Sequence, residues 1–314
     1  MACLVGVVML TALSACTGDA RPDTTSPERA PKVLLIGIDG VRPDVLAEVA
    51  TPNLDALAAD GFFTDRTRTT TPSVSGPAWS SMLTGVWPSK HGVIDNEFEG
   101  RHYDAYPDFL TRIELTRPEL NTFAVADWVP LMELEAGDDP VSDLIDVKWT
   151  LDGYELGWAE ADAASVRLAV EHIAQSVPDA MFVYLGNPDE TSHQNASIGQ
   201  EYRDAIALAD LHVGLLVEAI RARPQYSSED WLIIVSTDHG RRSDGDHGGS
   251  TIEEMTTFIL VNGPTVIRGG QSGATSIVDV AVTALTHMGI PIEAGWSLDG
   301  TAVGLRLDRS DPGS

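Results

Sequence analysis

Cysteine is nearly missing from this chain: Cys3 and Cys16 are the only two in 314 residues, and both fall at the apolar amino terminus. That leaves no disulfide scaffold, thiol nucleophile or thiolate metal site for the body of the protein. Basic residues are also scarce, 20 against 47 acidic ones, for a formal net charge of −27. So negative a surface repels duplex nucleic acid unless a basic groove is set into it, and the longest basic run is Arg241-Arg242. The apolar stretch at residues 4–13 is too short to span a bilayer as a mature helix and has the length of a signal-peptide core.

What is present begins at that leader. Leu13-Ser-Ala-Cys16 resembles the bacterial lipoprotein cleavage box, which implies removal of residues 1–15 and a lipid on Cys16. Residues 16–31, rich in Pro, Asp, Ser and Thr, read as a flexible tether. The expectation is an exported protein anchored to the outer side of a bacterial membrane, although no Lys or Arg precedes the apolar run. Residues 32–310 read as one catalytic domain, and 43% hydrophobic content suffices for an ordinary core.

Beyond the tether, strand and helix signals alternate. Apolar runs predict strands at 32–38, 121–126, 180–185, 231–235 and 257–261; amphipathic spacing predicts helices near 160–176, 198–223 and 277–288. A further helix opens at Thr51-Pro52 and closes at Gly61. Strands apolar on both faces imply a mainly parallel sheet sandwiched between helices, an α/β fold. Residues 96–157, rich in Asp, Glu, Pro and Trp, break the rhythm and read as an insertion near the active site. Trp128, Trp149 and Trp158 lie in or beside it, offering faces to a base or aryl group or, alternatively, packing a small subdomain.

Six residues of metal-ligating type fall into three clusters: Asp39; Asp189 with His193; and Asp238, His239 and His247. Asp39 and Asp238 each follow a buried-strand pattern, and carboxyl ends of strands are where α/β proteins bind ligands. Asp189 and His193, four apart, can share one helical face. Carboxylates with neutral imidazoles suit zinc, with manganese as an alternative, and two such ions about 4 Å apart clamp displacement at phosphorus.

Ile38-Asp-Gly40, the loop at 71–85, Pro88-Ser-Lys-His-Gly92, Asn187-Pro-Asp-Glu-Thr-Ser-His193, Ser236-Thr-Asp-His-Gly240 and Asp246-His-Gly248 together resemble the alkaline phosphatase superfamily, and within it the type I phosphodiesterase and nucleotide pyrophosphatase family. The resemblance implies an alkaline-phosphatase-like fold and hydrolysis of a small phosphate ester through two divalent ions. It assigns Asp39, Asp238 and His239 to the ion that activates the nucleophile, and Asp189, His193 and His247 to the other. Ser75 takes the nucleophile's place, just before a helix start suited to an anion; the other reading of Ser75 is a simple helix cap. The resemblance also places an Asn three residues beyond the nucleophile, where this chain has Ala78. The work of the missing donor is expected to pass to the Ser75 or Gly76 backbone, to Arg241 or Arg242, or to Lys90. The alternatives are a phosphomonoesterase, a phosphonate hydrolase or sulfatase, and a lipoprotein that only binds a metal or phosphate ligand.

Overall fold

The computed structural model describes residue 2 and residues 29–269 and 273–306. Cys16, the rest of the leader and most of the tether lie outside the described residues. One sheet organises the body: β1 (Ala30–Ile38), β2 (Phe62–Arg68), β3 (Thr122–Ala126), β4 (Val147–Thr150), β5 (Ala180–Leu185), β6 (Glu229–Ser236), β7 (Thr256–Asn262) and β8 (Thr275–Ser276). Their order is β4-β3-β5-β1-β6-β7-β2-β8. The pairings of β7 with β6 and with β2 are antiparallel, so β7 alone runs against the rest and the sheet is mixed.

Side chains on a strand point alternately to the two faces, and β1 shows what that does here. Val33 and Leu35 enter one core with Trp79 and Phe182, while Leu34, Ile36 and Ile38 enter the other. Helices Ser75–Thr84, Phe109–Thr116 and Asp279–His287 cover the first face. Helices Pro52–Asp60, Trp158–Gln175 and Gln200–Arg221 cover the second. Both faces are therefore dry, which is why the central strands carry continuous apolar runs.

The strands absent from the sequence reading are β2, β4 and β8. In β2, Asp65 and Arg66 face solvent and the pairing with β7 slips between Thr64 and Thr67, so no period-two apolar pattern survives. Within residues 96–157, β3 and β4 extend the main sheet beyond β5, and the segments around them reach the site.

Three neighbours in the sheet, β5, β1 and β6, position the chemistry. Their parallel register sets Ile38 beside Leu185 and Gly37 beside Ser236. Asp39, the start of helix Asn187–Asn195 and Asp238 therefore leave the sheet at the same edge.

Candidate metal centre

Two groups of donors meet at that edge. Ligand atoms of Asp39, Asp238 and His239 lie within 4.8 Å of one another, as do those of Asp189, His239 and His247. His239 stands between them, its Nε2 3.5 Å from Asp39 Oδ1, 3.3 Å from Asp238 Oδ2 and 4.0 Å from Asp189 Oδ1. His193 joins from the outer side, with Nε2 3.2 Å from Asp189 Oδ2 and 2.9 Å from His247 Nε2. The short helix Asn187–Asn195 puts Asp189 and His193 one turn apart on a single face, as their spacing predicts.

Four of the donors are oriented by a partner behind them. Asp39 Oδ2 accepts from Trp79 Nε1 at 2.8 Å and from the Tyr184 hydroxyl at 2.7 Å, which leaves Oδ1 facing inward. Asp238 Oδ1 accepts from Gly40 N at 3.1 Å, leaving Oδ2. The imidazoles use Nδ1 on carbonyls, His239 on Gly240 O at 2.9 Å and His247 on Ser73 O at 2.7 Å, so both turn Nε2 inward. Asp39 Oδ1 and Asp238 Oδ2 are buried without any hydrogen-bond partner. Two orphaned carboxylate oxygens beside an inward-facing imidazole nitrogen fit a divalent cation and little else.

Electrostatics agree with the geometry. Burial, then the nearby Asp39 charge, pushes the Asp238 carboxyl well above its ordinary range, because two buried carboxylates stand side by side. Burial holds His239 and His247 below the usual imidazole value, keeping both neutral and able to coordinate.

Ser75 opens helix Ser75–Thr84 rather than capping it: the cap position is Val74, which makes no side-chain cap bond. Its hydroxyl is free for His239 Nε2, at 3.2 Å. The helix starts at Ser75 itself rather than just after it, so Ser75 sits in its first turn.

A family model described as Type I phosphodiesterase / nucleotide pyrophosphatase matches residues 33–258. The chain belongs to that family. Among curated members, rat ectonucleotide pyrophosphatase/phosphodiesterase family member 3 is 25% identical over 240 residues, covering 72% of this chain and 26% of the rat protein. Human family member 7 is 24% identical over 245 residues, covering 71% of this chain and 50% of the human one. The chain thus spans half or less of the length of these relatives. The solved murine ectonucleotide pyrophosphatase/phosphodiesterase 5 superposes with a TM-score of 0.64 at 14% identity, over 83% of this chain and 95% of that one. An inactive variant of the murine protein is known in complex with AMP. The phosphonate monoester hydrolase of Agrobacterium radiobacter superposes with a TM-score of 0.65 at 18% identity, over 87% of this chain and 76% of the other.

The family fold gives this chain a cleft of about 330 Å³ above the donors, and its walls correct the substrate contacts expected from sequence. Arg241 is sealed in the interior, where its guanidinium contacts Asp189 Oδ1 and donates to Gly40 O at 2.9 Å and Gly245 O at 2.8 Å. Burial pulls it down only to about 10, so it remains a cation that ties together the segments bearing the ligands. Gly40, at a φ of 64°, leaves room for that guanidinium, which a Cβ there would strike. Arg242 turns outward to Asp246 at 2.8 Å and Glu254 at 3.1 Å. Lys90 is held by Ser297 O at 2.6 Å and Asp299 at 2.5 Å. The Gly76 N–H is already taken by Asn96 Oδ1 at 2.7 Å. Of the proposed contacts, Trp128 does line the cleft, and Trp158 joins it, whereas Trp149 lies on the outer strand β4.

Sequence reading missed Asn96, which lines the cleft beside Ser75 and holds a side-chain amide where Ala78 left the donor wanting. It missed Tyr154 and Glu190 too, joined by a 2.9 Å hydrogen bond at the mouth. Asn96 comes from a loop without motif or periodicity, so nothing local marked it; Glu190, next to Asp189, could have been suspected.

Proposed function

We propose that this protein is a metal-dependent hydrolase of phosphodiesters, of the phosphodiesterase and nucleotide pyrophosphatase type, acting through Ser75. The supporting observation is the pair of orphaned oxygens on Asp39 and Asp238, which face His239 Nε2 while the same nitrogen meets the Ser75 hydroxyl at 3.2 Å. Divalent ions held by the two donor groups supply positive charge, which favours an ionised hydroxyl and offsets charge developing on phosphate oxygens. Zinc suits the mixed carboxylate and imidazole set, and manganese is the alternative.

The chain's own residues divide the remaining work. Because His239 Nδ1 is committed to Gly240 O, the one lone pair on Nε2 points to the place it shares with Ser75 Oγ, so an ion coordinated by Nε2 would sit beside that hydroxyl. Ser75 Oγ attacks phosphorus in line, forming the Oγ–P bond as the P–O bond to the leaving group breaks; water then cleaves the phosphoserine ester and frees Ser75. Asn96, its Oδ1 fixed by Gly76 N, turns an amide NH2 toward a phosphate oxygen, and helix Ser75–Thr84 presents its positive end to the same anion. Tyr154, Trp128 and Trp158 offer apolar surface to the organic group. The AMP complex of the murine family member agrees with a small phosphate ester or nucleotide as substrate.

The test is turnover of bis-p-nitrophenyl phosphate by zinc-loaded protein against its Ser75→Ala form. The serine route predicts a loss in kcat on the order of 10³-fold or more. Equal rates remove Ser75 from the mechanism, and a strong preference for p-nitrophenyl phosphate makes the enzyme a monoesterase instead. We also propose export and anchoring through a lipid on Cys16, supported by the leader and cleavage box; an unlipidated mature mass in the membrane fraction refutes it.

A further inference from the structure

Outside the two donor groups of the metal centre, a second set of buried oxygens has no partner. Asp127, just past β3, and Asp162 and Ser165, on helix Trp158–Gln175, are all fully buried. Asp162 Oδ1 is taken by Gly186 N at 2.9 Å and Asn187 N at 3.3 Å. Both oxygens of Asp127, Asp162 Oδ2 and Ser165 Oγ make no hydrogen bond. Asp127 Oδ1 lies against Gly186, where a Cβ would meet it at 3.1 Å, and Asp162 is near enough for its charge to act on Asp127. The two carboxyls therefore meet where β5 gives way to the helix bearing Asp189 and His193.

Ser165 is an independent sign. It follows Asp162 by three residues and shares its helical face. A buried helical serine commonly turns its hydroxyl back to the carbonyl four residues earlier, as Ser80 does to Gly76 O at 2.6 Å and Ser81 to Pro77 O at 2.8 Å. Ser165 does not, and its hydroxyl stays bare in the interior on the side of Asp162. One proton shared by the two carboxyls bridges two of the four bare oxygens and leaves the other two unanswered, which is costly in a dry interior. A cation among them answers all four.

The donors are oxygen alone, which favours a hard cation over zinc. Two carboxylates match a divalent charge. Magnesium keeps much of its water and suits a fully buried place poorly, whereas calcium accepts an irregular shell of carboxylate and hydroxyl oxygens. We propose that Asp127, Asp162 and Ser165 hold a calcium ion beside Gly186, separate from the metal centre, and that this ion ties the entry of helix Asn187–Asn195 to helix Trp158–Gln175. As the ion enters, it displaces the proton that Asp127 keeps without it. It thereby steadies the element that brings Asp189 and His193 to the centre.

The full chain, zinc-loaded so that the metal centre is filled, is dialysed against calcium chloride at physiological salt, which screens loose binding to the acidic surface, and its metals are counted. About one calcium ion per chain is expected beside the zinc, with a melting temperature several degrees above that of the zinc-loaded protein without calcium. Asp127→Asn is expected to lose both the ion and the shift, and Ser165→Ala to bind calcium severalfold more weakly, each keeping its zinc. Calcium affinity is expected to rise from pH 6 to pH 8, because a proton leaves as the ion enters. Wild type that takes up no calcium, calcium that enters only by displacing zinc, or affinity that falls as pH rises overturns the site. So does undiminished calcium in Asp127→Asn, whose melting curve without calcium shows that it is folded; should that variant fail to fold, undiminished calcium in Ser165→Ala overturns the site in its place.

Discussion

At the scale of single residues, the centre is a set of donors most of which are aimed by a partner. Asp39 illustrates the economy: Trp79 and Tyr184 occupy Oδ2, so Oδ1 has one direction left to face. Removing one hydroxyl should therefore weaken metal binding without touching a ligand. In Tyr184→Phe, zinc affinity is expected to fall about tenfold, the usual scale for partners behind a ligand, as read by isothermal titration of metal-free protein. Unchanged affinity would show that Trp79 alone orients Asp39. His91, without an assignable role in the sequence, is also explained. It is fully buried, accepts from Val93 N at 3.1 Å through Nδ1 and meets Ser81 Oγ at 2.9 Å through Nε2, which binds helix Ser75–Thr84 to the loop after it. Burial pulls its pKa from 6.5 down to about 4. The unfolded chain therefore binds the proton more readily between those values, and stability contributed by neutral His91 is present above pH 6.5 and lost as pH falls toward 4. Urea midpoints of metal-free protein at pH 7 and 5 should show that loss, and His91→Gln should reduce it; an identical pH dependence in the variant would contradict the assignment.

At the scale of elements, the placement of helix Asn187–Asn195 decides whether Asp189 and His193 reach the centre. Its entry is held from helix Trp158–Gln175, where Asp162 Oδ1 accepts from Gly186 N at 2.9 Å and Asn187 N at 3.3 Å. Behind Asp162 lies Asp127, buried, with neither carboxylate oxygen hydrogen-bonded to a donor. Burial and the Asp162 charge push Asp127 well above 3.8, so the folded protein keeps a proton there that the unfolded chain releases. That proton costs stability increasingly as pH rises above the unfolded value. Asp127→Asn is isosteric and needs no proton, so it should stabilise the metal-free protein by about 1–3 kcal/mol at pH 8, and by less at pH 5. Urea midpoints at the two pH values check this, and a gain larger at pH 5 would have the wrong sign.

At the scale of the whole molecule, a chain of net charge −27 gathers Asp39, Asp189 and Asp238 at one sheet edge. Divalent ions should therefore stabilise the fold as well as equip the site. Zinc at about a hundred times its dissociation constant contributes roughly 2.7 kcal/mol, which for a domain of this size raises Tm by roughly 5–10 °C over protein kept in chelator. Scanning calorimetry with and without zinc measures it, and coincident melting curves would argue that the donors hold no ion in the native state.

The sequence by itself determined what local pattern can encode. Continuous apolar runs marked β1, β5, β6 and β7; Asp39 directly follows β1 and Asp238 comes two residues after β6, because a buried strand must end before a charged ligand can begin. The four-residue step from Asp189 to His193 already implied a shared helical face. Tertiary structure alone decided the rest. Whether a cation is free or spent depends on partners far away in the chain: Arg241 is claimed by Asp189, 52 positions distant, and Lys90 by Asp299, 209 positions distant. Asn96 and Tyr154 lie on segments without periodicity: Asn96 turns back 20 positions to Gly76, and Tyr154 follows β4, whose place in the sheet brings it to Glu190. Pattern reports which face of an element is apolar; which polar side chains meet across the cleft is set by the packing of elements whose order in the sheet differs from their order in the chain.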